Sequence, residues 1–194
     1  MSIKEANEIT LRVIATKEEL FESLRSKGFK SGRTFSLDDY YFVPKDLDIL
    51  NTSTRDIISK AIIIRDIIND GIRRKLLTYK NKEFDINGDI LNQESYNCEI
   101  LSIESAKRFI ESIGYRQVLN IKENDIVFSK DTLELAIKDI VGGELLIEVE
   151  TEPNTEFDTI EKLKETIKKL ELPIQDNEFF VKKVEVELNK VLDR

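Results

Sequence analysis

Apolar and polar residues alternate strictly over Glu8–Val13, at the start of the stretch Glu8–Ile14. Ile9, Leu11 and Val13 fall on one side of an extended strand, with Glu8, Thr10 and Arg12 on the other, because successive strand side chains point to opposite faces. Further strand-like stretches, each with an apolar and a polar side, lie over 61–68, 76–80 and 145–150. Thr16-Lys-Glu-Glu19 reads as a capping box, which predicts a helix over 17–27 stopped at Gly28. Lys30 to Val43 reads as extended, 44–55 as polar loop, and 59–68 as an Ile-rich strand. Asn69-Asp70-Gly71 turns that strand into a partner over 73–80. A loop over 81–92 and a strand over 95–100 follow. A helix over 103–113 opens at Ser102 and ends at Gly114. Strands over 115–128, 132–140 and 144–150 come next, and two helices, 158–170 and 177–191, close the chain around Pro173.

The order contains an echo. Helix 17–27 and helix 103–113 each lead into strands, and each ends in glycine followed by an aromatic residue (Gly28-Phe29, Gly114-Tyr115). This predicts a single domain over 1–194 made of two pseudo-repeated halves, about 5–100 and 101–194. The predicted fold class is α+β: about eight antiparallel strands in a closed or nearly closed β-barrel, with helices packed outside, because closure removes exposed strand edges. In such a barrel the apolar strand faces lie under the helices and the polar faces line a tunnel.

Composition narrows the chemistry. The 194 residues include 40% hydrophobic and 35% charged side chains, with a net charge of −8. That balance predicts no broad nucleic-acid or anionic-membrane partner, while leaving room for a local basic patch that holds phosphate. Met1 leads into Ser-Ile-Lys-Glu without an apolar segment and no run is long enough to span a bilayer, so the expected location is cytoplasmic. With no histidine and one cysteine, Cys98, the chain cannot form a Ser-His-Asp or Cys-His nucleophile or a His- or thiolate-ligated zinc site. Any metal is a hard ion on carboxylates, and any general base is Asp, Glu, Lys, Tyr or the substrate. Cys98 is expected to face the helices as a small buried hydrophobe, since its parity is opposite to that of Glu99.

The strand motifs, taken in order, resemble the CYTH or triphosphate tunnel metalloenzyme family, which includes class IV adenylyl cyclases, thiamine triphosphatases and inorganic triphosphatases. The resemblance spans about residues 5–190. The family's Glu-x-Glu-x-Lys strand stands here as Glu8-Ile9-Thr10-Leu11-Arg12. Its Asp-x-Tyr-Phe strand is similar to Asp39-Tyr40-Tyr41-Phe42, and its Ala-Leu-Arg-Ile-Arg strand to Ala61-Ile62-Ile63-Ile64-Arg65. Leu77-Thr78-Tyr79-Lys80 resembles Leu-Thr-x-Lys, Glu99 a glutamate on the next strand, and Glu148-Val149-Glu150 the closing Glu-Ile-Glu. Four positions depart: Thr10 for glutamate, Ile63 for arginine, Asn124 for the arginine of Lys-x-Arg (here Lys122-Glu123-Asn124), and Lys138 for an aspartate, with Asp139 one place on.

The resemblance implies a divalent-metal-dependent enzyme that binds a triphosphate-bearing small molecule in a polar tunnel, with Mg²⁺ or Mn²⁺ as cofactor and a homodimer allowed as the assembly. Arg12, Arg65, Lys80 and Lys122 are the matching cations, with Arg65, Lys80 and Lys122 assigned to catalysis. Arg74 joins them as a substrate-binding candidate because it shares the parity of Lys80. Triphosphate oxygens suit arginine forks and lysine point charges. Glu8, Glu148 and Glu150, inward by strand parity, and Glu99, by the resemblance, are the metal candidates. The simpler readings are a solvated sheet face and cross-strand ion pairs. Hydrolysis of a nucleoside, thiamine or inorganic triphosphate is the first expectation and cyclisation of ATP to cyclic AMP the second. Thr10, Ile63, Asn124 and Lys138 remove two cations and up to two anions, each worth about 1–3 kcal/mol as a charged hydrogen bond. They define the alternatives: a CYTH-like module that binds a phosphorylated ligand without turnover, or a structural barrel with no anion site.

Overall fold

A computed structural model describes residues 8–84, 90–175 and 177–193, and no side chain between 80 and 94. The strands are β1 (Glu8–Arg12), β2 (Lys30–Pro44), β3 (Ile62–Asn69), β4 (Ile72–Phe84), β5 (Ile90–Glu99), β6 (Tyr115–Lys130), β7 (Leu133–Ile140) and β8 (Leu145–Glu150). The helices are α1 (Lys17–Ser26), α2 (Thr54–Ser59), α3 (Ile103–Ser112), α4 (Ile160–Lys169) and α5 (Lys183–Val191). The eight strands form one sheet in the order β1-β8-β7-β6-β2-β3-β4-β5, and the recorded pairings are antiparallel. The expected α+β class, strand number and strand direction are found. The order has two ends, β1 and β5, so among the described residues hydrogen bonding does not close the ladder.

The chain divides into two compact units: Leu37–Lys122 with Lys183–Arg194, and Ala6–Ser36 with Glu123–Lys182. The long strands β2 and β6 each contribute to both.

In the second unit the apolar face of the opening strand is a true core face. Ile9, Leu11, Ile137, Ile147 and Val149 are fully or almost fully buried against Leu20 and Leu24 of α1 and Leu163 and Ile167 of α4. α1 starts where the sequence predicts: Thr16 accepts from the Glu19 amide, and the Glu19 carboxylate accepts from the Thr16 amide at 2.8 Å. It stops at Gly28, whose φ of 88° belongs to the left-handed region that a side chain resists, and α3 stops the same way at Gly114, φ 97°. The free edge of β1 is covered by the segment around 173–181, through Phe179 O to the Thr10 amide (2.9 Å), Thr10 O to the Val181 amide (3.0 Å) and Arg12 O to the Gln175 amide (2.8 Å). An edge strand so covered cannot recruit another chain.

In the first unit, Phe42 of β2 and Ile64 of β3 pack on Ile110 of α3. α2 lies where the sequence reads as loop and strand start. Ser53 caps it by accepting from the Asp56 amide at 3.1 Å, a local signal hidden by the Ile-rich run that follows. α2 is tied to α5 by Thr54 to Asn189 (2.5 Å) and Arg55 to Glu185 (3.4 Å). β4 and β5 run further than predicted, taking in parts of the expected loop 81–92.

One expectation is overturned. Cys98 lies opposite Leu77 on the β4–β5 ladder, yet it is exposed, because the cluster under α3 ends at Leu77 and does not reach the outer strand. Native protein should therefore release one equivalent of thionitrobenzoate from Ellman's reagent without denaturant, at a rate unchanged by urea below the unfolding transition. A thiol that reacts only after unfolding would contradict this placement.

Candidate functional site

The candidate residues divide between the two units. In the Leu37–Lys122 unit, strand register gathers one face. Arg65 stands opposite Leu76, and Ile63 opposite Thr78; Glu99 stands opposite Leu76, and Lys80 opposite Ser95. Arg65, Arg74 and Glu99 thus share a face, since directly opposed residues point the same way and parity repeats every two residues. The Lys80 side chain lies outside the described residues. Arg65 forks onto Asp39, Nε to Oδ1 at 2.7 Å and an Nη to Oδ2 at 2.6 Å. Asp39 is fully buried, and the Tyr41 hydroxyl lies 3.5 Å from its Oδ2. Arg74 reaches Glu99 at 2.7 Å, both exposed, a pair worth about 0–1 kcal/mol. Ile63 is buried on this face and brings neither charge nor hydrogen bond.

Lys122 stands apart from that group. Its ammonium lies 3.8 Å from Asp38, the neighbour of Asp39 and so on the opposite side of β2. Asp38 also accepts from the Tyr40 hydroxyl and the Asn120 amide, each at 2.6 Å. Tyr40 packs in the α3 cluster under the Lys107 ammonium, 3.4 Å from its ring centroid. Burial first, and then Asp38, push the Tyr40 phenol above its ordinary pKa. Tyr40 thus belongs to the helix side and Tyr41 to the Asp39 side.

In the unit of Ala6–Ser36 and Glu123–Lys182, three rows cross the polar face. Glu8 stands opposite Glu150. Thr10 stands opposite Glu148, which stands opposite Ala136. Arg12 stands opposite Leu146, Leu146 opposite Lys138, and Lys138 opposite Asp125. Arg12 is engaged by its own chain: Nε donates to Glu144 at 2.8 Å, and one Nη to Gln175 and to Glu178, both at 3.1 Å. The hydrogen bond to Glu144 is the main reason its pKa is raised. Lys138 is the most deeply placed cation of the face, its side chain 15% exposed, 3.4 Å from Asp125 and 3.3 Å from Glu148. Asp139 turns to the other side, where Lys17 of α1 meets it at 2.6 Å. Of the two, Lys138 is the one that lies on the polar face.

Three residues of this face are absent from the sequence reading. Glu123 and Asp125 are buried and lie with Lys138, whereas Lys122 and Asn124, read as the motif pair, have the opposite parity. The signal was present in Ile126 and Phe128, which pack in the core and so fix odd-numbered neighbours on the polar face. Glu178 is brought to Arg12 by the 173–181 segment and has no sequence signature.

No protein-family model matches the sequence. The chain is 26% identical over 169 residues to the Methanocaldococcus jannaschii protein named "Putative adenylate cyclase MJ0240", covering 85% of this chain and 90% of that protein. Its fold matches the PH1819 protein of Pyrococcus horikoshii with a TM-score of 0.65 at 20% identity, over 94% of this chain and 99% of that one. These similarities are in keeping with the resemblance to the CYTH family. A further match is HpAC1 of Hippeastrum, named a "putative adenylyl cyclase" and said to have a dominant triphosphatase activity (TM-score 0.54, 16% identity, 88% and 90% covered).

The expected metal cage needs converging carboxylates. Mg²⁺ or Mn²⁺ takes converging oxygens at about 2.0–2.2 Å. Among the described residues, no three acidic or cysteine side chains converge in a way that could hold an ion. Thr10 stands in the row where a further carboxylate would face Glu148, and Glu148 is already in contact with an ammonium. Glu99 is engaged with Arg74. As arranged, Glu8, Glu99, Glu148 and Glu150 do not fit a divalent ion.

Proposed function

We propose that this protein binds the triphosphate group of a small molecule, whether nucleoside, thiamine or inorganic triphosphate. The observation that carries the reading is the strand face of Arg65 and Arg74, brought to one side of β3 and β4 by the register Arg65–Leu76. Arg65 is held by Asp39 in a two-point fork, so its orientation is set before any ligand arrives, which lowers the cost of binding. A guanidinium so oriented is the kind of group that recognises phosphate oxygens. Hydrolysis of the triphosphate is the first-choice reaction, in line with the activity stated for HpAC1, and cyclisation of ATP the second, in line with the name of the M. jannaschii relative. Water would be the nucleophile in the first and the ribose hydroxyl in the second.

A second reading, binding without turnover, is favoured by Lys138, which places a positive charge among the carboxylates where the family resemblance calls for a negative one. Two measurements separate these. Isothermal calorimetry with tripolyphosphate should give saturable binding that weakens at least tenfold in Arg74→Ala. Assays with ATP, thiamine triphosphate and tripolyphosphate, with and without Mg²⁺ or Mn²⁺, would follow phosphate, pyrophosphate and cyclic AMP. Binding with no product favours the second reading. No binding of any triphosphate would sink both.

A further inference from the structure

We propose that Lys138 is a built-in counter-cation that takes the place of a divalent metal on the polar face of the Ala6–Ser36 and Glu123–Lys182 unit, so that Glu8, Glu148 and Glu150 do not recruit Mg²⁺ or Mn²⁺. The ammonium is a tethered charge centred between two carboxylates of different strands, Asp125 on β6 and Glu148 on β8, at 3.4 and 3.3 Å. Its own strand, β7, lies between them, so the lysine spans the face as a bridging ion would. An ammonium brings three donors and one positive charge. Those donors satisfy acceptors that would otherwise need an ion or water in a nearly dry place, for Asp125 is 4% and Lys138 15% exposed at the side chain. A divalent ion binding Glu148 here would have to come within a few ångströms of this ammonium, or drive it out of the burial and pairing it now has. Either course opposes binding, the first by like-charge repulsion in a low-dielectric setting and the second by leaving a buried charge without its partners. Thr10 opposite Glu148 adds a hydroxyl but no compensating negative charge. Asp139, the neighbouring carboxylate, is turned to Lys17 and cannot supply it.

The inference concerns the metal alone and does not depend on the triphosphate reading, so Mn²⁺ is titrated without any phosphate ligand. Mn²⁺ electron paramagnetic resonance on the full chain should show the free-ion spectrum undiminished by wild-type protein at up to millimolar metal. Lys138→Asp should gain a bound ion, with affinity at least tenfold above the wild type, and Lys138→Asp combined with Glu148→Gln should lose it again. Lys138→Ala serves as a second variant, with a smaller gain expected, should the aspartate fail to fold. One Mn²⁺ bound by the wild type and abolished by Glu148→Gln would overturn the proposal. So would folded Lys138→Asp and Lys138→Ala proteins that bind Mn²⁺ no better than the wild type.

Discussion

Lys138→Met should lower the thermal midpoint at neutral pH by about 10 °C. The substitution keeps the length and much of the volume of the side chain but withdraws the ammonium from Asp125, which is 5% exposed, and from Glu148. Breaking a buried pair by removing one partner costs about 3–5 kcal/mol, and a chain of this length loses about 2–4 °C per kcal/mol. Asp125→Asn in the same protein should recover part of the loss, because a neutral amide is cheaper to bury than an unpaired carboxylate. The pH dependence has a definite sign. Burial is the largest single influence on Lys138 and pushes its pKa down, but Glu148, Asp125 and Glu123 together outweigh it and hold the folded-state value above the ordinary one. A raised folded-state pKa means that the stabilisation is complete below the unfolded-state value of about 10.4 and is lost as pH rises through the folded-state value. The wild-type advantage over Lys138→Met should therefore be level from about pH 6 to 9 and shrink only beyond about pH 10. Urea denaturation across that range checks it. An advantage that decayed between pH 6 and 8 would show that a different group controls it.

Arg65→Met should cost about 3 kcal/mol of stability and also abolish measurable tripolyphosphate binding. The stability loss follows from Asp39. Its carboxylate is fully buried and held by both arms of one guanidinium, so removing the arginine leaves a desolvated charge without its main partner. Arg65→Lys should be nearly as damaging, since a point ammonium cannot reproduce the fork. Asp39→Asn combined with Arg65→Met should restore much of the stability and none of the binding, which separates the structural role of the pair from its role toward a ligand. Lys122→Ala gives the contrast: an exposed lysine 3.8 Å from Asp38, on the other side of β2, should change stability by less than about 0.5 kcal/mol and leave binding as it was. Loss of binding in Lys122→Ala with binding retained in Arg65→Met would place the anion site on the opposite face from the one proposed.

Much of the fold is legible in the order of residues. The alternation of Ile9, Leu11 and Val13 with Glu8, Thr10 and Arg12 determines which face of β1 is buried, because strand parity is a local property. Thr16 with Glu19, and the glycines after α1 and α3, determine where those helices begin and end for the same reason. The Arg65 and Arg74 face follows from parity once the hairpin at Asp70-Gly71 sets the register of β3 on β4. Residues matched only by a short motif were less secure. Lys122 fitted Lys-x-Arg by spacing, but the parity of β6 is set by Ile126 and Phe128 in the core, and that parity sends Glu123 and Asp125 to the polar face instead.

The sequence by itself determined the α+β class, the buried face of β1 and the inventory of charges, Lys138 among them. Only the tertiary structure decided how those charges are spent: Arg65 on Asp39, Arg12 on Glu144 and Glu178, and Lys138 on Asp125 and Glu148. Local rules act over a few residues, whereas these partners lie between 10 and 166 positions apart in the chain. Whether a carboxylate meets an ammonium or stands open to a metal depends on the register of strands that are distant in sequence, and that register is fixed by the packing of the core as a whole.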